Sequence, residues 1–452
     1  MTQATAKALD GDPPRLRGGA PWIGHTVDFV RDPVGLLQRA YDECGRVAQF
    51  KLFGKRVTLF TGPEAQESLF RLPDDVLSPT EAYKMMIPVF GKGVVYDATP
   101  SRMYEQLHML HPALRNNRMR TYTEVIADET HRAISSWRDE GEIEVCEFFG
   151  TLTNFTSSRC LLGDEFRNEM SEEFARVYQD LEAGIVPLAY IHAHLPIPAF
   201  RKRDRARARL GEMVSTIIER RRREGIHCED FTQTLMESTY SDGTSLTDHE
   251  IAGILIAAMF AGHHTSSVTT AWSLLELLRT PPYYEKVRAE VRERFKESQI
   301  YDFQAMRDLE RTEWAIKEAL RIHPPLFMLF RVAMQDCEIY GYRIDKGDWV
   351  SVAPIVAHRE NEVFRNALAY DPDRYGPGRE EDRRPFAYVS FGGGRHKCLG
   401  NAFAILQMKT ILAVLLNNYD FELTGDSMDT DFGRVVLGPK PPIHVRYRQR
   451  LQ

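Results

Sequence analysis

Cysteine is sparse and never paired in motif form. Cys44, Cys146, Cys160, Cys228, Cys337 and Cys398 are scattered over 452 residues, with no CxxC and no CxxxxCxxC. That spacing excludes a zinc ribbon or a ferredoxin-type cluster within the chain and suits a reducing compartment. Internal repeats, low-complexity tracts and linkers are lacking as well. Net charge is only -6, which argues against nucleic acid as the main partner. The opening stretch, MTQATAKALDGDPPRLRGGAP, has no apolar core of the kind a signal peptide or membrane anchor needs. The longest apolar run, ILIAAMFAGHHTSSVTTAWSLLELL, is interrupted by HHTSS and reads as a buried core helix. A cytoplasmic protein without a transmembrane anchor is expected.

What is present is 43% hydrophobic content, enough for a large core. The reading places a leader at residues 1–20 and a single domain at 21–452. GRVAQFKLFGKRVTLFTGPE shows two short β-like runs around Phe53-Gly54-Lys55, a hairpin candidate, and PEAQESLFRL turns helical behind Pro63. From about residue 101 to 325 helical periodicity dominates, with Thr247 and Glu250 forming a capping-box signal. Helix ends at His323-Pro324-Pro325. CEIYGYRIDKGDWVSVAP then alternates as a small antiparallel sheet, NAFAILQMKTILAVLLNNY reads as a long amphipathic helix, and short strands follow Asp420. The basic runs RKRDRARARL and ERRRREG read as solvated helix faces. The fold class is mainly α with a minor antiparallel β region.

Three separated patterns carry chemistry. The first is FGGGRHKCLG, in which glycines let the backbone around Cys398 approach a flat ligand closely. Backbone N–H groups in such a loop can donate to a thiolate and tune a metal bound to it. The alternative is a free cysteine buried at a tight turn. The second is WAIKEALRIHPP, where Glu318 and Arg321 share a helix face. They form either an ordinary surface pair or, given apolar neighbours, a buried pair that needs a third partner such as Arg374 of YDPDRY. The third is AGHHTSS, a polar cluster inside an apolar helix. It holds either satisfied core histidines or hydroxyls that bond the carbonyl four residues back, distort the helix and open a groove.

Taken together, FGGGRHKCLG, EALR and the arginine of DPDRY resemble the cytochrome P450 fold over nearly the whole chain. Within that family MFAGHHTSS and EAYKMMIPVFGKGVVYD, with Tyr83, Pro88, Phe90, Gly91 and Asp97, are similar to the sterol 14α-demethylases of the soluble bacterial type. The resemblance implies haem b as cofactor, with Cys398 as thiolate ligand and metal-binding residue, and Glu318, Arg321 and Arg374 as a structural triad. It implies removal of the 14α-methyl group of a lanosterol-like sterol in three O2-dependent steps, releasing formic acid and forming a 14,15 double bond. Thr265 would hold oxygen and a water, and His264, standing where most P450s carry an acid, would pair with Glu182 and gate protons. Tyr83, His108, Arg331 and His396 would meet the haem propionates. Tyr83, Met86, Phe90, Leu107, Ala261, Leu326 and Met328 would line the sterol site.

Two departures from the family pattern stand out. Tyr104 occupies the position where relatives often place a propionate-binding lysine, and Met85 replaces the usual Phe or Leu associated with preference at sterol C4. Implied partners are the sterol, O2, and a ferredoxin with its NAD(P)H-dependent reductase. Arg115, Arg118, Arg120 and Lys397 are candidate ferredoxin contacts, and the chain is expected as a monomer inhibited by azoles. The competing readings are a P450 hydroxylase of another apolar substrate (fatty acid, terpene or steroid), a non-enzymatic haem–thiolate sensor, and a haem-free helical scaffold.

Overall fold

The computed structural model describes residues 11–168, 171–190, 192–228 and 230–450. The chain divides into two compact units, each assembled from discontinuous stretches. One comprises Met1–Tyr83, Leu326–Ala369 and Glu380–Cys398; the other comprises Lys84–Pro325, Tyr370–Arg379 and Leu399–Gln452.

The first unit is built on a five-stranded sheet ordered Val47–Leu52, Lys55–Phe60, Trp349–Val352, Leu329–Ala333 and Leu77–Ser78. Its first hairpin turns on Phe53 and Gly54, both at positive φ (51° and 77°), the twist that a two-residue turn between paired strands favours. Lys55–Phe60 and Trp349–Val352 pair in parallel, so the sheet is mixed rather than antiparallel. Alternation within CEIYGYRIDKGDWVSVAP reveals strands but not partners separated by some 290 residues, because period two fixes faces and not neighbours. Cys337–Ile339 and Tyr342–Ile344 do form the expected local hairpin. Phe60, Leu69, Val350, Val352 and Val389 pack as the core of this unit. Of the leader, residues 1–10 lie outside the described residues. Leu16 is buried, and Arg15 bridges to Gln49 of the first strand.

The second unit is helical, with a three-stranded sheet of Glu140–Glu144, His444–Gln449 and Tyr419–Leu423. Its axis is the helix Asp248–Arg279. Thr247 caps it through the Glu250 amide, and Glu250 returns a bond to the Thr247 amide at 2.8 Å. This helix is long and apolar enough to cross a membrane, yet its most apolar window is 61% buried among protein neighbours. The AGHHTSS segment does not interrupt it. Thr265, Thr269 and Thr270 each donate to the carbonyl four residues back at 2.7 Å while the backbone stays α-helical from end to end. The expected distortion is therefore absent.

Asn401–Asn418 is buried on every side from Leu406 to Asn417, so it is an interior helix and not an amphipathic one. The basic helix Pro198–Glu224 is not simply a solvated face. Arg203 and Arg221 are fully buried, and Arg221 donates to both Glu165 and Asp230 at 2.9 Å. Arg203 donates to Asp204 and the Ala193 carbonyl, so the spacing of charges along the helix does not tell a buried guanidinium from a solvated one.

Candidate active site

In the second unit, Glu318 on the helix Glu310–Ile322 organises a buried polar cluster. Arg321 Nε and Nη2 each donate to its carboxylate at 2.8 Å, and Arg374 Nε donates at 2.9 Å. All three side chains are fully buried. The Tyr375 hydroxyl and the Asp371 amide complete the acceptor sites, each at 2.9 Å. A carboxylate removed from water is tolerable only when its lone pairs are met in this way. The ordinary surface-pair reading is thus excluded by burial. Tyr375 and the Asp371 amide went unread in the sequence, although both belong to YDPDRY, whose Pro372–Tyr375 segment forms one 3-10 turn.

The helix Asp248–Arg279 has an open stripe in its otherwise buried middle. Ala257, Phe260, Ala261, His264, Thr265 and Val268 are incompletely covered, recurring every three or four residues, whereas Ala258, Met259, His263, Ser266 and Ser267 are buried. Ala261 is exposed, and the Thr265 hydroxyl donates to its carbonyl at 2.7 Å. Phe90 meets the neighbouring Phe260 edge-on at 6.1 Å and stacks on Tyr96. Met86 and Phe90 are buried, while Leu107 is half-buried one residue before exposed His108. His108 Nδ1 lies 3.1 Å from the Tyr104 carbonyl, and its ring stacks on His111.

Glu182 ends the helix Ser171–Glu182, and His264 Nε2 lies 2.6 Å from its Oε1. His263 Nε2 approaches the same oxygen at 3.9 Å. Burial, with the adjacent His264 ring, pushes the His263 imidazole well below its usual range, so this ring is neutral. His263 was passed over in the sequence because the residue next to it fitted a known pattern.

In the first unit, the loop carrying Cys398 presses against the helix Pro63–Phe70. A Cβ on Gly394, at φ 63°, would sit 2.1 Å from the Phe70 carbonyl oxygen, so only glycine fits there. The Cys398 amide donates to Phe391 O at 2.9 Å, and the Cys398 side chain is exposed, which excludes a thiol buried at a turn. His396 Nε2 lies 2.7 Å from Asp74 Oδ1, an acid the sequence reading did not single out. Burial lowers the His396 pKa, and Asp74 acts against that shift. The Tyr83 hydroxyl accepts from the Phe330 amide at 3.2 Å, and Arg331 donates to the Phe330 carbonyl at 2.7 Å. Met328 is buried and Leu326 is 41% exposed.

The family model of cytochrome P450 matches residues 13–446. The chain belongs to the cytochrome P450 family. This P450 is 42% identical to a Mycolicibacterium vanbaalenii protein named sterol 14alpha-demethylase, over 97% of this chain and 98% of that one. It is 36% identical to a Bos taurus protein named lanosterol 14-alpha demethylase, covering 97% and 88% of the two chains. A retinoic acid bound cyanobacterial CYP120A1 shares the fold with a TM-score of 0.85, 23% identity, and coverage of 97% and 99%. The P450 cofactor is haem with an axial thiolate, and the residues present suit it. The first unit offers an exposed thiol on a loop whose glycines allow close backbone approach. The second offers an uncovered helix stripe bearing a hydroxyl.

Proposed function

We propose that this P450 removes the 14α-methyl group of a lanosterol-like sterol. The observation that supports it most is 42% identity over 97% of the chain to a protein named sterol 14alpha-demethylase. The methyl is oxidised to an alcohol, then an aldehyde, and leaves as formic acid while a 14,15 double bond forms. Overall, three O2, six electrons and six protons are consumed, and four waters and one formic acid are released. Haem, when bound, supplies the oxygen-activating chemistry; orientation and protons come from the chain.

Cys398 is assigned as the axial thiolate, the exposed thiol among six. Tyr83, His108, Arg331 and His396 are assigned to the propionates; for His396 this requires exchange of its Asp74 partner. Thr265 positions a water and oxygen by its hydroxyl, and His264 with Glu182 passes protons inward. Met86, Phe90, Leu107 and Ala261, with Tyr83, Leu326 and Met328, are assigned to an apolar sterol site. Residues 21–452 act as one haem domain. Electrons come from a ferredoxin and its NAD(P)H-dependent reductase. Exposed Arg115, Arg120 and Lys397, with half-buried Arg118, are the cations assigned to that partner. Six cysteines outside any disulfide support a reducing, cytoplasmic setting, and the working form is a monomer.

Reconstitution with a ferredoxin, its reductase and a 14α-methyl sterol tests the reading. The expected product is the demethylated 14,15-unsaturated sterol by mass spectrometry. Hydroxylation at another carbon, with the 14α-methyl retained through every time point, would overturn it.

A further inference from the structure

Glu182 Oε1 is buried, yet among the described residues no N–H or O–H group is aimed at it, although two imidazole nitrogens approach at 2.6 and 3.9 Å. Thr153 fixes the tautomer of the more buried ring. Its hydroxyl donates to the Phe149 carbonyl at 2.7 Å, so toward His263 Nδ1, 3.0 Å away, it accepts. The proton of neutral His263 therefore sits on Nδ1, and Nε2 turns a lone pair toward the carboxylate. The Tyr178 hydroxyl, one helical turn before Glu182, is also buried without a hydrogen-bond partner among the described residues, and its ring meets the His263 ring edge-on. Electron-pair donors thus converge at the end of the helix Ser171–Glu182.

We propose that Glu182, His263 and His264 form a binding site for a divalent transition ion, zinc above all. Their ligand atoms all lie within 4.8 Å of one another. Zinc–ligand distances of about 2.0–2.2 Å in a tetrahedron set ligand atoms about 3.3 Å apart. The two separations at Glu182 bracket that value, so a small rotation of its carboxylate meets both. Adjacent helical residues normally diverge, but here the imidazole centroids are 4.8 Å apart and tilted by 37°. Two nitrogens and one carboxylate oxygen suit zinc better than calcium or magnesium, which prefer oxygen alone. Three protein ligands leave a fourth position for water. Thr153 then plays the outer-sphere part that orients a ligating imidazole. A second cluster, Glu165, Cys228 and Asp230, is no rival, because Arg221 already bonds both of its acids.

The test uses the full-length haem protein, stripped of metal and titrated with Zn2+ against a fluorescent zinc chelator. One equivalent is expected to bind. Affinity should fall at least tenfold in His263→Gln and in Glu182→Gln, and roughly 10–100-fold in Thr153→Val, which removes only the orienting partner. His192→Gln and His194→Gln should leave it unchanged. Thermal unfolding and the reduced-CO spectrum check that each variant is folded. Zinc held with wild-type affinity by both the His263 and Glu182 variants, or no saturable equivalent at all, overturns the site. Inhibition of turnover by bound zinc rests in addition on the proton-route reading of His264 and Glu182. Zinc that binds at these residues and leaves turnover intact supports the site and sinks the route.

Discussion

Six thiols in one chain divide by their surroundings. Burial pushes Cys146 up to about 12 and holds Cys160 well above the usual thiol value, while Cys44, Cys228 and Cys337 move upward for the same reason. None of these five is easily made a thiolate at neutral pH, whereas exposed Cys398 sits on the glycine loop. Cys398→Ser should eliminate the thiolate-type Soret band of the reduced-CO complex together with all turnover, since an alcohol is a poor iron ligand. A purified variant that keeps that band would rule the assignment out. Glu360 is a different case: it is buried, neither oxygen has a donor among the described residues, and burial raises it to about 7 from 4.5. A raised carboxyl contributes stability that is complete below the unfolded value and lost as pH rises through about 7. The gap corresponds to roughly 3 kcal/mol. Glu360→Gln should therefore raise Tm relative to wild type more at pH 8 than at pH 5. Equal Tm differences at the two pH values would show that Glu360 is already matched by its neighbours.

At the scale of elements, the Glu318 cluster ties the helix Glu310–Ile322 to the turn Pro372–Tyr375. Arg321→Ala strands a buried carboxylate and should cost about 3–5 kcal/mol, whereas Tyr375→Phe removes one donor and should cost about 1–3 kcal/mol. Chemical denaturation reads both, and similar losses would mean that the carboxylate is satisfied without Arg321. The pair between Ser171–Glu182 and Asp248–Arg279 calls for a double-mutant cycle. Glu182→Gln and His264→Ala should each slow turnover and alter the solvent isotope effect with little change in sterol affinity. The double variant should be scarcely worse than either. Additive losses confined to thermal stability would reduce the pair to packing.

Local signals were legible at this scale. The Thr247 and Glu250 cap, the Phe53-Gly54 turn and the stop before Pro324 could each be read from a few adjacent residues. Burial was harder to read. The all-round burial of Asn401–Asn418 depends on elements far away in sequence, and so does the bond of Arg221 to Glu165, 56 residues distant.

For the whole molecule, the sequence disclosed fold class through three motifs and left the division of the chain unseen. Each compact unit is stitched from three separated stretches, and the parallel pairing of Lys55–Phe60 with Trp349–Val352 has no local signature. The residues of the candidate site were legible where a motif named them: Cys398, Glu318, Arg321, Arg374, His264 and Thr265. Asp74, Tyr375, His263 and Thr153 were not, because each gains its meaning only from a partner at a distance.

What the molecule does with this arrangement is decided by the fate of one carbon. A sterol carrying 13C in its 14α-methyl group, turned over with ferredoxin, reductase and NAD(P)H, allows that carbon to be followed by NMR. The expected result is one equivalent of 13C-formate per molecule of 14,15-unsaturated sterol. Label that stays in the sterol while oxygen is consumed would contradict 14α-demethylation.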